Sequence, residues 1–168
     1  MISKKMEKAL NEQLNKELFS SYLYLSMAAY FEDLNLTGMA QWMRLQADEE
    51  HEHSMKFYDF IHKISGSVTL EQIDKPKKDW ESPKAAFEEA LEHEKFITKS
   101  INDLTNLAIE DRDHSTNTFL HWFIDEQVEE EATANDIVQK FNLIDDSKSG
   151  LYMLDRELGS RTAAPPAE

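Results

Sequence analysis

Glu50 and His53 stand three positions apart inside Leu45-Gln46-Ala47-Asp48-Glu49-Glu50-His51-Glu52-His53-Ser54-Met55, and their types and spacing point first to chemistry. On a helix, positions i and i+3 project from one face about a turn apart, so a carboxylate and an imidazole there can converge on one cation. Such a pair is half of an iron or manganese site in the core of a helix bundle. It also fits an ordinary wet helix face, so the surroundings must decide.

The elements that would position this pair are set by the breakers. The chain has only four glycines (Gly38, Gly66, Gly150, Gly159) and four prolines (Pro76, Pro83, Pro165, Pro166). Both types are costly in helix interiors, so their scarcity suits an all-α protein. Ser3 can cap a first helix running to about Asp33. Leu34–Gly38 is a short turn, and a second helix follows to about Ser65. A connection this short makes the two helices an antiparallel hairpin. Gly66 to Ser82 is mixed, proline-containing and aperiodic. Extended at about 3.3 Å per residue, it can run the length of a helix of some 27 residues, so it is predicted to be a crossover that leaves helices two and three parallel. Ser82-Pro83 is an N-cap followed by proline at the first helical position. The third helix should reach Ile109 or Asp111. Asp113 or Ser115 can cap a fourth, continuing to about Phe141. Asn142–Ser149 breaks the pattern, Leu151–Leu158 is predicted to be a short fifth helix, and residues 160–168 a flexible tail. One domain over residues 1–159 is expected, a four-helix bundle of two hairpins joined by a long crossover.

One template laid over the four long helices supplies the rest of the site. A core stripe at i, i+4, i+7, i+11, i+14 gives Leu10, Leu14, Glu17, Ser21, Tyr24 on the first helix and Met43, Ala47, Glu50, Ser54, Phe57 on the second. The third gives Phe87, Leu91, Glu94, Thr98, Ile101 and the fourth Phe123, Gln127, Glu130, Ala134, Ile137. Each apolar stripe is interrupted by one acid. An unpaired buried carboxylate is strongly unfavourable, and no Lys or Arg lies on these stripes. If the four acids pack level with His53, bound cations are what offset the charge. Oxygen ligands with one imidazole suit iron or manganese, and zinc can compete.

Composition closes off other classes. Without cysteine there is no disulfide framework, thiolate zinc site, iron–sulfur cluster or cysteine nucleophile. A formal charge of -15, from 33 acids against 18 bases, repels nucleic acid and anionic lipid and attracts cations. No long uncharged apolar run and no apolar leader occurs, so a soluble, cytoplasmic protein that binds neither nucleic acid nor membrane is expected.

With these residues in place the chain resembles the ferritins, and non-haem bacterial ferritins in particular. The resemblance is carried by Glu17 seven residues before Tyr24, by Glu50-x-x-His53, by Glu94 and by Gln127-x-x-Glu130, and it spans about Met1 to Gly159. It implies a ferritin-like bundle in a homo-oligomeric shell, usually of 24 subunits, that oxidises Fe(II) with O2 or H2O2 and stores it as a ferric mineral. It implies that Glu17 and His53 hold a first iron, that Glu50 bridges, and that Glu94 and Glu130 hold a second beside Gln127. Tyr24 matches the tyrosine that hydrogen-bonds near the metals. Glu49, Glu126 and Glu129, with Glu130, resemble a third iron site. Trp122, one turn before Glu126, should pack near the site, whereas His51 and His93 should lie on the surface.

Departures from related families narrow the expectation. Bacterioferritins and rubrerythrin-like oxidases repeat Glu-x-x-His on the fourth helix, where this chain has Gln127-x-x-Glu130, a poorer ligand set that favours passing iron onward. The residue after the bridging Glu50 is His51 rather than the methionine that ligates haem in bacterioferritins, so no haem is expected. Access channels would lie around Asp113–His121. Leu151, Leu154 and Leu158 share one face of a helix too short to fold alone, so it should pack on its own bundle or at a symmetry axis of the shell. The alternatives are a di-iron or di-manganese oxidase or peroxide-scavenging enzyme that retains its metals, and a metal-free interaction bundle.

Overall fold

A computed structural model describes residues 2–163, and within them all regular secondary structure is helical. The helices are α1 (Lys4–Asp33), α2 (Thr37–Lys63), α3 (Pro83–Glu110), α4 (His114–Ile144) and α5 (Lys148–Leu158). No helix among the described residues is long and apolar enough to cross a membrane.

Four helices begin on their own caps. The side chains of Ser3, Ser82, Asp113 and Ser147 accept from the backbone N–H of Met6, Ala85, Thr116 and Gly150, at 3.0–3.1 Å. Helix α2 starts at Leu36, which offers no side-chain cap. Its N-terminus is served from outside, by Asp155 of α5, whose Oδ1 accepts from Met39 N–H at 2.9 Å. After α1, α2, α3 and α4 the backbone turns left-handed at Asn35, Ser65, Arg112 and Asp145, with φ between 47° and 61°. None of these is glycine, and only Asn35 and Asp145 are of types that adopt positive φ with any ease. Helix α4 therefore outruns its expected end at Phe141 by three residues, and α5 starts three residues before Leu151, because Asp145 and Ser147 mark the break.

The crossover direction follows from its anchors on α1. Asn11 holds Ser67 O and Thr69 N at 3.0 and 2.6 Å, and Ser26 Oγ donates to Lys77 O at 2.6 Å. Ten residues of extended chain thus climb beside fifteen residues of α1, about 22 Å of helix. Trp80 closes the run, packing its ring on Tyr30 and donating Nε1–H to Glu89 at 3.0 Å. The chain returns to the level where α2 began, so α3 runs parallel to α2.

Two apolar clusters fill the bundle. One gathers Phe31, Trp42, Phe87, Phe141 and Leu154, and the other Met6, Leu10, Phe57, Ile101 and Phe123. Between them lies a polar layer with Glu17, Glu50, His53, Glu94, Gln127 and Glu130, all buried. Helix α5 packs on its own bundle through Leu154 and Leu158, leaving Tyr152 and Met153 exposed. At the crossing with α2, a Cβ added to Gly38 would sit 1.8 Å from Asp155 O, so the approach of the two backbones requires glycine there. Within the expected tail, Arg161 is tied down: its Nη2 lies 2.6 Å from Glu49 Oε2 and its guanidinium stacks 4.7 Å over Trp42. The last five residues, 164–168, lie outside the described part of the chain.

Candidate metal centre

Helical periodicity places one acid from each long helix in the polar layer: Glu17 from α1, Glu50 from α2, Glu94 from α3 and Glu130 from α4. Single ligand atoms of Glu17, Glu50 and His53 lie within 4.8 Å of one another, as do those of His53, Glu126 and Glu130. His53 joins the two groups. Its Nδ1 faces Glu50 Oε2 at 3.2 Å and its Nε2 faces Glu126 Oε1 at 3.9 Å.

Glu94 belongs to neither group. Tyr24 donates its hydroxyl to Glu94 Oε1, and Gln127 Nε2 donates to Glu94 Oε2 at 3.1 Å. On the other side Gln46 Nε2 donates to Glu130 Oε2 at 2.9 Å, and Gln13 Nε2 to Glu17 Oε1 at 2.8 Å. What remains is informative: Glu17 Oε2, Glu50 Oε1 and Gln46 Oε1 are buried acceptors without a donor. Buried polar atoms are normally paired, so three bare acceptors in one layer are what a cation would satisfy.

The acids carry the strain of this arrangement. Burial, followed by the charge of Glu50, pushes the Glu17 carboxyl up to about 8. Burial and the charge of Glu94 push Glu130 up to about 7. Glu50 is raised well above the usual range by burial and by Glu94 and Glu130, and Glu94 is raised chiefly by burial. Tyr24 is raised by burial and then by Glu94, so its hydroxyl stays a donor. Among the described residues no Lys or Arg is buried to compensate. A divalent cation reverses the balance, since it favours ionised carboxylates and replaces the missing hydrogen-bond donors.

The remaining expected residues sit around this layer with different fates. Glu126 is half-buried beside His53, whereas Glu129 is exposed and Glu49 is engaged by Arg161. Trp122 meets His53 edge-on, ring centroids 5.3 Å apart. His51 is exposed, as the helical phase implies. His93 is a correction: it is half-buried, 2.7 Å from Ser20 Oγ and against Phe19 and Tyr24, and burial lowers its imidazole to about 4. It faces the α1 side of α3, a contact that sequence spacing alone does not reveal. Gln13 and Gln46 were not singled out from the sequence. Gln13 stands four residues before its partner Glu17, a spacing visible in the sequence, whereas the partner of Gln46, Glu130, lies on another helix and leaves no local signal.

Residues 7–144 match the family model described as Ferritin-like domain. The bacterial non-heme ferritin of Bacteroides fragilis is 41% identical over 161 residues, covering 96% of this chain and all of that protein. That of Campylobacter jejuni is 39% identical, covering 93% of each. Among solved structures, an open pore ferritin from the archaeon Archaeoglobus fulgidus superposes with TM-score 0.95 at 48% identity, over 96% of this chain and 98% of that one. A humanized archaeal ferritin superposes with TM-score 0.97 at 49% identity, over 98% and 100%.

Proposed function

The chain belongs to the ferritin-like family, and from that premise we propose that it is an iron-storage protein with ferroxidase activity. Iron is its substrate and its cargo. Glu17 and His53 hold one Fe(II), Glu50 bridges it to a second, and Glu94 and Glu130 hold that second ion with Gln127 alongside. Two ferrous ions at one site yield two electrons together, so O2 or H2O2 is reduced without releasing a one-electron radical. The protein supplies position and charge rather than a nucleophile.

Glu94 begins on Tyr24 and Gln127, so binding the second ion requires it to share or release those contacts. That predicts weaker retention of the second iron than of the first, in keeping with onward transfer. The oxidised ions pass inward and accumulate as ferric mineral in a hollow shell of 24 subunits in the cytoplasm. A third iron site, drawn from Glu49, Glu126, Glu129 and Glu130, lies on that route. Glu126 and Glu130 already converge with His53, while Glu49 must leave Arg161 to join them.

The observation that carries this reading is the layer of four buried acids with His53, three bare acceptor atoms and no buried cationic side chain among the described residues. The test is Fe(II) titration of the purified assembly with O2 uptake recorded. Rapid oxidation of about two Fe(II) per chain, followed by loading of hundreds of irons per shell, is expected. Oxidation that stops at the first two would favour an enzyme that retains its metals.

A further inference from the structure

A run of hydrogen bonds leads from the outer face of the bundle to the Glu17 carboxylate, and its direction is fixed by chemistry at its far end. The half-buried Lys16 ammonium lies 2.6 Å from Ser100 Oγ, and an ammonium can only donate. With its oxygen accepting that bond, the Ser100 hydroxyl has its proton free for Gln13 Oε1, 2.6 Å away. The Gln13 amide must then turn its Nε2 toward Glu17, and it does so at 2.8 Å from Oε1. Glu17, a member of the group with Glu50 and His53, is left with one oxygen held and the other, Oε2, buried and without a donor.

We propose that Lys16, acting through Ser100 and Gln13, is a positioning residue that fixes which Glu17 oxygen is presented to the first metal ion. The inference rests on the reading of Glu17 as a metal ligand. Without Lys16, Ser100 can donate or accept in either direction. The Gln13 amide is then free to flip and set its own oxygen against the carboxylate, which turns the Glu17 side chain away from its neighbours. Outer partners of metal ligands commonly matter by about 10–100-fold in metal affinity.

The test uses the assembled protein and Co(II), a redox-inert probe whose visible spectrum reports ligand geometry, titrated without oxygen into Gln13→Leu, Lys16→Met, Lys16→Arg and Glu17→Gln. Gln13→Leu should weaken the first Co(II) by about 10–100-fold and alter its saturated spectrum. Lys16→Met should move both readouts the same way by a smaller factor, and Lys16→Arg, another obligate donor, should restore them. If Glu17→Gln abolishes the first Co(II) while Gln13→Leu and Lys16→Met bind with wild-type affinity and spectrum, the relay is overturned and the site stands. If Glu17→Gln itself binds Co(II) as wild type does, the ligand reading fails and the relay falls with it. Should Gln13→Leu not fold, the pair at the half-exposed position 16 decides.

Discussion

Glu17, Glu50, Glu94 and Glu130 share one buried layer, and at the scale of single residues their mutual repulsion is traded for affinity toward cations. Replacing Glu50 with glutamine should therefore raise the melting temperature of the metal-free protein while removing most of the stabilisation conferred by Zn(II), a redox-inert substitute for iron. Calorimetry with and without Zn(II) checks both halves; a destabilised metal-free variant would show that Glu50 is tolerated for another reason. The same residues set a pH dependence. Glu17 and Glu130 move from about 4.5 in the unfolded chain to about 8 and about 7 in the folded one. Their contribution to metal-free stability is thus fully present below about 4.5 and is lost as pH rises through 7 and 8. The metal-free protein should melt at a higher temperature at pH 6 than at pH 9, and Zn(II) binding should release more protons at pH 6, read as buffer-dependent heat. The four acids and His53 were legible in the sequence because an acid in an apolar stripe violates a strong rule. Gln13, Gln46 and His93 violate none, since a neutral amide or imidazole is cheap to bury once paired, and the partners of Gln46 and His93 lie on other helices.

Among the elements, α5 and the crossover show how connection replaces local propensity. Helix α2 has no cap of its own and takes Asp155 from α5, so Asp155→Ala should cost about 1–2 kcal/mol. For a chain of this size that lowers the melting temperature by about 2–4 °C per kcal/mol, and Asp155→Asn should recover part of the loss. Gly38→Ala should be worse, because its methyl meets the backbone of Asp155 rather than a side chain that can swing aside. Thermal unfolding of the three variants orders them. The sequence predicted the helix hairpins and the crossover well because Ser3, Asp113 and Ser82-Pro83 are strong start signals and residues 66–82 lack a helical period. It misplaced the junction between α4 and α5 because a left-handed aspartate ends α4 where a glycine would be expected, while Gly150 lies inside the first turn of α5.

For the molecule as a whole, a net charge of -15 and exposed apolar side chains such as Tyr22, Leu25, Tyr152 and Met153 fit a subunit that covers these residues by assembling and draws cations toward its interior. Sedimentation should show a large closed assembly, and a species of 19.5 kDa alone would refute it. The charged layer also divides the interior into an upper and a lower apolar compartment with few side chains in common. Damage in one should not be felt in the other: Leu10→Ala and Phe87→Ala, on opposite sides of the partition, should combine by simple addition of their separate losses. Pairs in contact within the partition itself, such as Gln46→Ala with Glu130→Ala, should not. The polar layer thereby leaves each half of the bundle its own apolar packing, with the four long helices alone running through both.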